Sequence, residues 1–223
     1  MPPGPRSKRL AVVPIDDVAR KKARLVEAVG RVLARVGFAA ITPDAVAAEA
    51  QLPRAELFRH FQGLDRLVAA YARTGRFWPP AAELVGDDAE TLKRMPPAEL
   101  MAAFFKRTLR GLLGRPEALD ILAWEGLSRS ELCRPLDRVR ELAALEFFEL
   151  MGEDPPADVD MTALVILVAG GINFLTIRSR TSDCVGGVDL ESEAGWRRIE
   201  AIIDLILART LAPGPLPSRR DPL

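Results

Sequence analysis

TPDAVAAEAQLPRAELFRHFQGLDRL, residues 42–67, is the stretch whose reading decides the fold. Thr42 offers a hydroxyl that accepts a hydrogen bond from a helix's first turn, and Pro43 suits the first helical position because its missing N–H has no partner there anyway. Ala47, Ala48 and Ala50 keep that helix thin enough for another to approach closely. Gln51 and Leu52 turn the chain, and Pro53 starts a second short helix ending at His60 and Phe61. Val46, Leu52, Leu57 and Phe61 supply a small common core, so the pattern is a helix-turn-helix.

Upstream, Asp16 and Asp17 place carboxylates where a helix N-terminus favours them. The apolar positions Leu25, Val29, Val32, Leu33 and Val36 then recur at three and four, one buried stripe that Gly37 ends by adopting positive φ. Downstream, a fourth helix from Gly63 or Leu64 to about Trp78 stops before Pro79-Pro80. Residues 86–95 are polar and loop-like, and Pro96-Pro97 restarts a helix that Gly114 breaks. Further helices carry Leu119 to Trp124, Leu136 to Met151, about 158–180, and Ser192 to Leu211. The expected fold is all-α with about nine helices. It divides into a basic arm at 1–16, a head at 17–62, a helical body at 63–211 and a Pro-rich tail at 212–223.

Composition agrees. Aromatic residues are only 6% of 223, and the formal net charge is zero. The charge is unevenly placed: residues 1–76 hold 14 Lys and Arg against 7 Asp and Glu, so a basic first third precedes an acidic remainder. That is the electrostatic footprint of a nucleic-acid-binding head on an acidic body. Cys133 and Cys184 stand 51 residues apart, a spacing that indicates neither a metal site nor a disulfide framework. His60 is the single histidine, which excludes a multi-histidine metal site and any triad needing a second one. With no glycine-rich phosphate loop either, an enzyme, a metal and a cofactor are all unexpected. No run reaches about 18 uncharged apolar residues; Met161 to Leu175 comes nearest, so a cytoplasmic protein with no membrane partner is expected.

Residues 17 to about 75 resemble the DNA-binding domain of TetR-type transcriptional repressors. The resemblance rests on the long first helix, Gly37-Phe38, the Thr42 cap, the small-residue second helix, and Leu57-Phe58-Arg59-His60-Phe61 before a leucine-rich fourth helix. It implies double-stranded DNA with an imperfectly palindromic operator as one partner, a small-molecule effector as another, and a homodimer. The implied DNA-facing set is Thr42, Arg54, Ala55, Glu56, Phe58, Arg59 and His60, flanked by Lys21 and Lys22. Arg54 stands where a side chain meets guanine O6 and N7. Glu56 could accept from cytosine N4 or simply favour the helix dipole, and His60 could contact phosphate or pack as an aromatic. Four positions depart from the family pattern: Gln51 for the usual turn glycine, Pro53 for Ser or Thr, Phe58 for Tyr, and Leu64 for Lys. The last three remove phosphate donors. A head that has lost DNA binding is therefore the competing reading.

In the body, the resemblance implies a cavity. Met101, Phe104, Phe105, Trp124 and Phe148 are candidate walls, although stripes at this spacing are mostly core, and Asn173 and Arg178 are candidate polar groups. The last two helices carry more apolar surface than one subunit needs. Ile166, Gly170, Gly171, Phe174, Trp196, Ile199, Ile203 and Ile206 are therefore expected at the dimer interface, with the glycines allowing a close helix crossing.

Overall fold

The stripe predicted at three- and four-residue spacing forms the spine of the molecule. In a computed structural model, which describes residues 15–150 and 156–211, Leu25, Val29, Val32 and Leu33 on α1 (Ile15–Ala40) are all fully buried. Gly37 breaks α1 as expected, with φ 70°, before one further turn. The short helices α2 (Pro43–Glu49) and α3 (Arg54–Phe61) follow, then α4 (Leu64–Ala72). The basic arm lies outside the described residues except for its last two, which open α1. The Pro-rich tail lies outside them entirely.

Helix α4 ends six residues earlier than its apolar pattern indicates. The Thr74 hydroxyl donates to the Tyr71 carbonyl at 2.7 Å, and Arg115 Nε donates to the Gly75 carbonyl at 2.9 Å. These bonds satisfy the helix end and turn the chain, so that Phe77 and Trp78 enter the core from a loop instead of a helix face. Two more short helices follow, α5 (Ala81–Val85) and, inside the stretch 86–95 expected to be a polar loop, α6 (Ala89–Leu92), each anchored by a fully buried leucine, Leu84 and Leu92. Single apolar residues in polar surroundings carry too little periodicity to reveal a helix of one turn.

The body continues with α7 (Pro97–Leu113), α8 (Pro116–Glu125), a 3-10 turn at Glu131–Cys133, α9 (Arg134–Phe148) and α10 (Met161–Arg178). A two-residue antiparallel hairpin, β1 (Cys184–Val185) and β2 (Val188–Asp189), leads into α11 (Glu193–Thr210). The fold is thus all-α, with eleven α-helices among the described residues instead of about nine. Side-chain oxygens cap α2, α10 and α11: Thr42 accepts from Ala45 N–H, Asp160 from Ala163 N–H and Ser192 from Gly195 N–H. Arg110 locks α7 to α11 through Glu193 and Glu200, at 2.6 to 2.8 Å.

Head and body are joined through α8, which packs along α1. Tyr71 of α4 is fully buried there and donates its phenol to Glu117 of α8 at 2.7 Å. Gly30 of α1 faces the same point. A Cβ on Gly30 would lie 2.4 Å from both Glu117 Oε1 and the Tyr71 ring, so only glycine lets the three helices meet. By length and composition α10 is also apolar enough to cross a membrane, although the sequence reading, stopping at Leu175, placed it just short. Only 11% of that span is buried, through Ile172 and Thr176. Most of its apolar surface therefore points out of the protomer, in keeping with the excess over one subunit's needs.

Gly30→Ala should lower stability by about 1–3 kcal/mol, because the added methyl must displace either a buried ring or its hydrogen-bond partner. Urea unfolding checks this, and an unchanged midpoint would refute the close packing at Gly30.

Candidate nucleic-acid interface and effector cavity

The turn between α2 and α3 is fixed from outside. Gln51 adopts φ 52°, the left-handed conformation its place in the pattern demands, at a steric cost of about 1 kcal/mol. Arg24 of α1 offsets that cost by donating to the carbonyls of Ala50 and Gln51, at 2.6 and 3.1 Å. Arg24 is thus a clamp on the turn, a role its place in a run of charges conceals. Pro53 is the residue before α3, with φ −59° and ψ 140°, and not its first helical residue as the sequence reading has it. It supplies no side-chain cap, so the N-terminal N–H groups of α3 keep no side-chain partner from that position.

Arg54 opens α3 with its side chain 56% exposed. The guanidinium lies 5.2 Å from the centre of the Phe58 ring, and Nη1 is 3.2 Å from Asp44 Oδ2 on α2. An exposed ion pair and an exposed cation–π contact are each worth about 1 kcal/mol or less. A bidentate arginine–guanine pair is worth about 1–3 kcal/mol. The two local contacts therefore orient Arg54 without holding it back from a base. Thr42, Ala55, Phe58 and Arg59 belong to the exposed surface of the head, as does Lys22 of α1. Lys22 and the exposed Arg66 have no ion-pair partner among the described residues.

Glu56 and His60 do not belong to that surface, which corrects their expected contacts with cytosine and phosphate. The Glu56 side chain is 13% exposed and the His60 side chain 8%. Glu56 Oε2 lies 3.1 Å from His60 Nε2, Oε1 accepts from Arg59 at 3.2 Å, and Lys21 of α1 stands 3.8 Å away. Glu56 is the polar pin that seats α3 on α1. Lys21 is drawn into the same network and also pairs with Asp17 at 3.0 Å, a hydrogen bond that holds the Asp17 carboxyl below its ordinary range. Leu57 and Phe61, both read as core in the sequence, set the rotation of α3 that also turns Glu56 and His60 inward, a consequence the sequence reading did not carry through.

In the body, α7, α9 and α10 line an apolar cavity of about 550 Å³ that opens to solvent. Its walls are Met101 of α7, Glu141, Ala144, Leu145 and Phe148 of α9, and Met161, Thr162, Val165 and Ile166 of α10. Phe104 packs behind Phe148 with ring centres 4.8 Å apart and does not reach the cavity, and Phe105 is core. Trp124 is elsewhere: its indole N–H donates to the Ala34 carbonyl of α1 at 3.1 Å, and its ring covers Gly37. It couples body to head and is no part of the cavity wall. Arg178 is exposed and donates to Thr181 Oγ1 at 3.3 Å, outside the cavity. Asn173 lines a different, polar cavity between α8, α9 and α10.

The expected interface needs redrawing as well. Trp196 and Ile203 are turned into the protomer, the indole donating to the Leu190 carbonyl at 2.9 Å, and Ile199 packs partly against the core. The outward apolar residues are Ile166, Leu167 and Phe174 of α10 with Ile202, Leu205 and Ile206 of α11. No atom lies within 4 Å of a Cβ added at Gly170 or Gly171, so neither glycine serves a helix crossing within the protomer.

No protein-family model matches the sequence, and no curated protein matches it. Solved structures do. NalD of Pseudomonas aeruginosa, the secondary repressor of the MexAB-OprM multidrug efflux pump, aligns over 88% of this chain and 98% of its own with 16% identity and a TM-score of 0.61. A TetR family transcription regulator from Marinobacter aquaeolei VT8 aligns over 85% and 96% with 17% identity and a TM-score of 0.54. The superantigen PfiT aligns over 87% and 97%, again with 17% identity, at a TM-score of 0.56. The chain has the fold of TetR-type regulators, and that fold is shared by a protein described in other terms.

Glu56→Ala should cost about 1–3 kcal/mol by stranding the buried His60 nitrogen, and Glu56→Gln, which keeps an acceptor, distinctly less. Chemical denaturation of the two variants checks this. Equal stabilities would remove Glu56 from its role as a pin.

Proposed function

We propose that this protein is a homodimeric, sequence-specific DNA-binding transcriptional regulator, a repressor released by a small apolar molecule held in the 550 Å³ cavity. The observation that carries the reading is Arg54: an exposed guanidinium at the start of a short helix, oriented by Phe58 and Asp44, on a helix-turn-helix whose turn is clamped. Such a helix presents its N-terminal residues to base edges in the major groove. Arg59, Lys22 and Arg66 are the nearby cations for phosphate, each adding nearly one unit to the salt dependence of binding. A two-fold dimer carries two such helices, so the operator is an imperfect palindrome with half-sites about one helical turn apart.

The cavity is coupled to the head by packing. Its α9 wall lies against α4, and α4 holds α1 and α8 together through Tyr71. A ligand that displaces α9 therefore moves the element on which the head is seated. To shift the protein from about 99% competent to about 1%, the ligand must prefer the incompetent state by about 10⁴-fold. Cavity walls of Met, Phe, Leu, Val and Ile suit an apolar molecule, and few polar groups orient it.

A second copy is the cover that fits the outward face of α10 and α11. The face is contiguous across two helices, and the groove between them is lined by Leu167, Gly171, Leu175, Ile199, Ile202 and Ile206. Insertion of α10 into a bilayer would instead separate it from α7 and α8, against which it packs.

The competing reading, a helical ligand-binding regulator whose head has lost DNA binding, is favoured by Pro53, Phe58 and Leu64 in place of donors and by the inward turn of His60. Electrophoretic retardation of DNA spanning the protein's own promoter decides between them. Specific retardation at submicromolar protein is expected and should be lost in Arg54→Ala; a wild type that retards nothing at low salt establishes the competing reading. By sedimentation equilibrium the protein should be a dimer and Phe174→Asp a folded monomer. A monomeric wild type would sink the assembly.

A further inference from the structure

We propose that the polar cavity between α8, α9 and α10 is a second ligand site, one that takes an organic ammonium ion with a short alkyl tail. The cavity has a volume of about 420 Å³, within the range of small-molecule sites, and is separate from the apolar cavity described above.

Its chemistry is set by two oxygens. Glu125 Oε1 and Asn173 Oδ1 are buried and have no hydrogen-bond partner among the described residues, and both residues line this cavity. The other oxygen of Glu125 accepts from Arg140 Nη1 at 2.7 Å. Arg140 is held in place: its second Nη pairs with Asp137, and its guanidinium carbon lies 5.5 and 5.8 Å from the centres of the Phe77 and Trp78 rings. The buried atoms of the lining left without a partner among the described residues are thus both acceptors.

Charge selects the kind of donor. Glu125 and the half-exposed Asp137 face a single guanidinium, so with both carboxylates ionised the acids of the lining outnumber its cations by one. Burial pushes the Glu125 carboxyl above its ordinary range in spite of Arg140. An ammonium head supplies the missing charge and up to three N–H donors. Leu122 and Ile177 offer apolar wall for a short chain. A carboxylate ligand would meet two acceptors and a net negative charge, and a neutral alcohol would satisfy one acceptor and none of the charge.

The site stands independently of DNA binding, so the test uses the whole protein without DNA. Calorimetric titration compares n-butylammonium chloride, 1-butanol and sodium butyrate. The ammonium should bind at least roughly tenfold more tightly than the alcohol, with butyrate not binding, as a charged hydrogen bond is stronger than a neutral one. Glu125→Gln and Asn173→Leu should each weaken the ammonium roughly tenfold, whereas Leu145→Trp, which fills the apolar cavity, should leave it unchanged. Absence of binding, equal binding of ammonium and alcohol, or full affinity in Asn173→Leu would overturn the proposal. Should Glu125→Gln fail to fold, the ligand series with Asn173→Leu still decides.

Discussion

A single buried hydrogen bond, from the Tyr71 phenol to Glu117, is the constraint on which the rest of the molecule depends. It ties the last turn of α4 to the first turn of α8 at the point where α1 passes both. Burial first, and the neighbouring carboxylate second, push the phenol's ionisation well above its ordinary value, so Tyr71 keeps its proton where a free phenol would lose it. A buried donor–acceptor pair of this kind is costly to break, because each partner left alone loses its solvation without compensation. Around it, Arg76–Glu27 and Trp124–Ala34 add further links to α1 at the surface. The head is therefore seated on the body through these contacts, and anything that moves α4 or α8 reorients α3.

That junction was invisible in the sequence. Tyr71 and Glu117 lie 46 residues apart and neither breaks a local pattern. What was legible rests on chemistry acting within a few residues: the Thr42 cap, the positive φ of Gly37, and the buried stripe of α1. Where local and distant forces compete, the local reading fails. The apolar residues through Trp78 continue a helical pattern, yet Thr74 and Arg115 redirect the chain; Pro53 suits a first helical residue, yet the turn leaves it one position earlier. Trp124 reads as part of an apolar stripe, and only the packing of α8 on α1 shows that its surface belongs to Gly37.

The excess charge of the head misleads in the same way. Of its cations, Arg24 is held by two carbonyls, Arg31 and Arg35 by Glu49, Arg76 by Glu27 and Lys21 by Asp17. These groups stabilise the head and contribute less to a phosphate backbone than a count of charges implies, since each would have to give up a partner. The electrostatic attraction of the whole face survives, because field depends on net charge. In the proposed DNA complex the contacts themselves fall to fewer residues than the total indicates, with Arg54 placed on an aromatic platform.

The two cavities and the outward face meet on one helix. Along α10, Ile166 both lines the apolar cavity and stands exposed, while Asn173 turns into the polar cavity and its neighbour Phe174 turns out. Packed helices rotate or slide between discrete arrangements more readily than they deform. An occupant of either cavity that rotates α10 therefore changes the surface offered to a second copy, and a second copy that fixes α10 changes both cavities. In the proposed dimer, effector binding and assembly are then coupled by a shared element, without a separate relay between them.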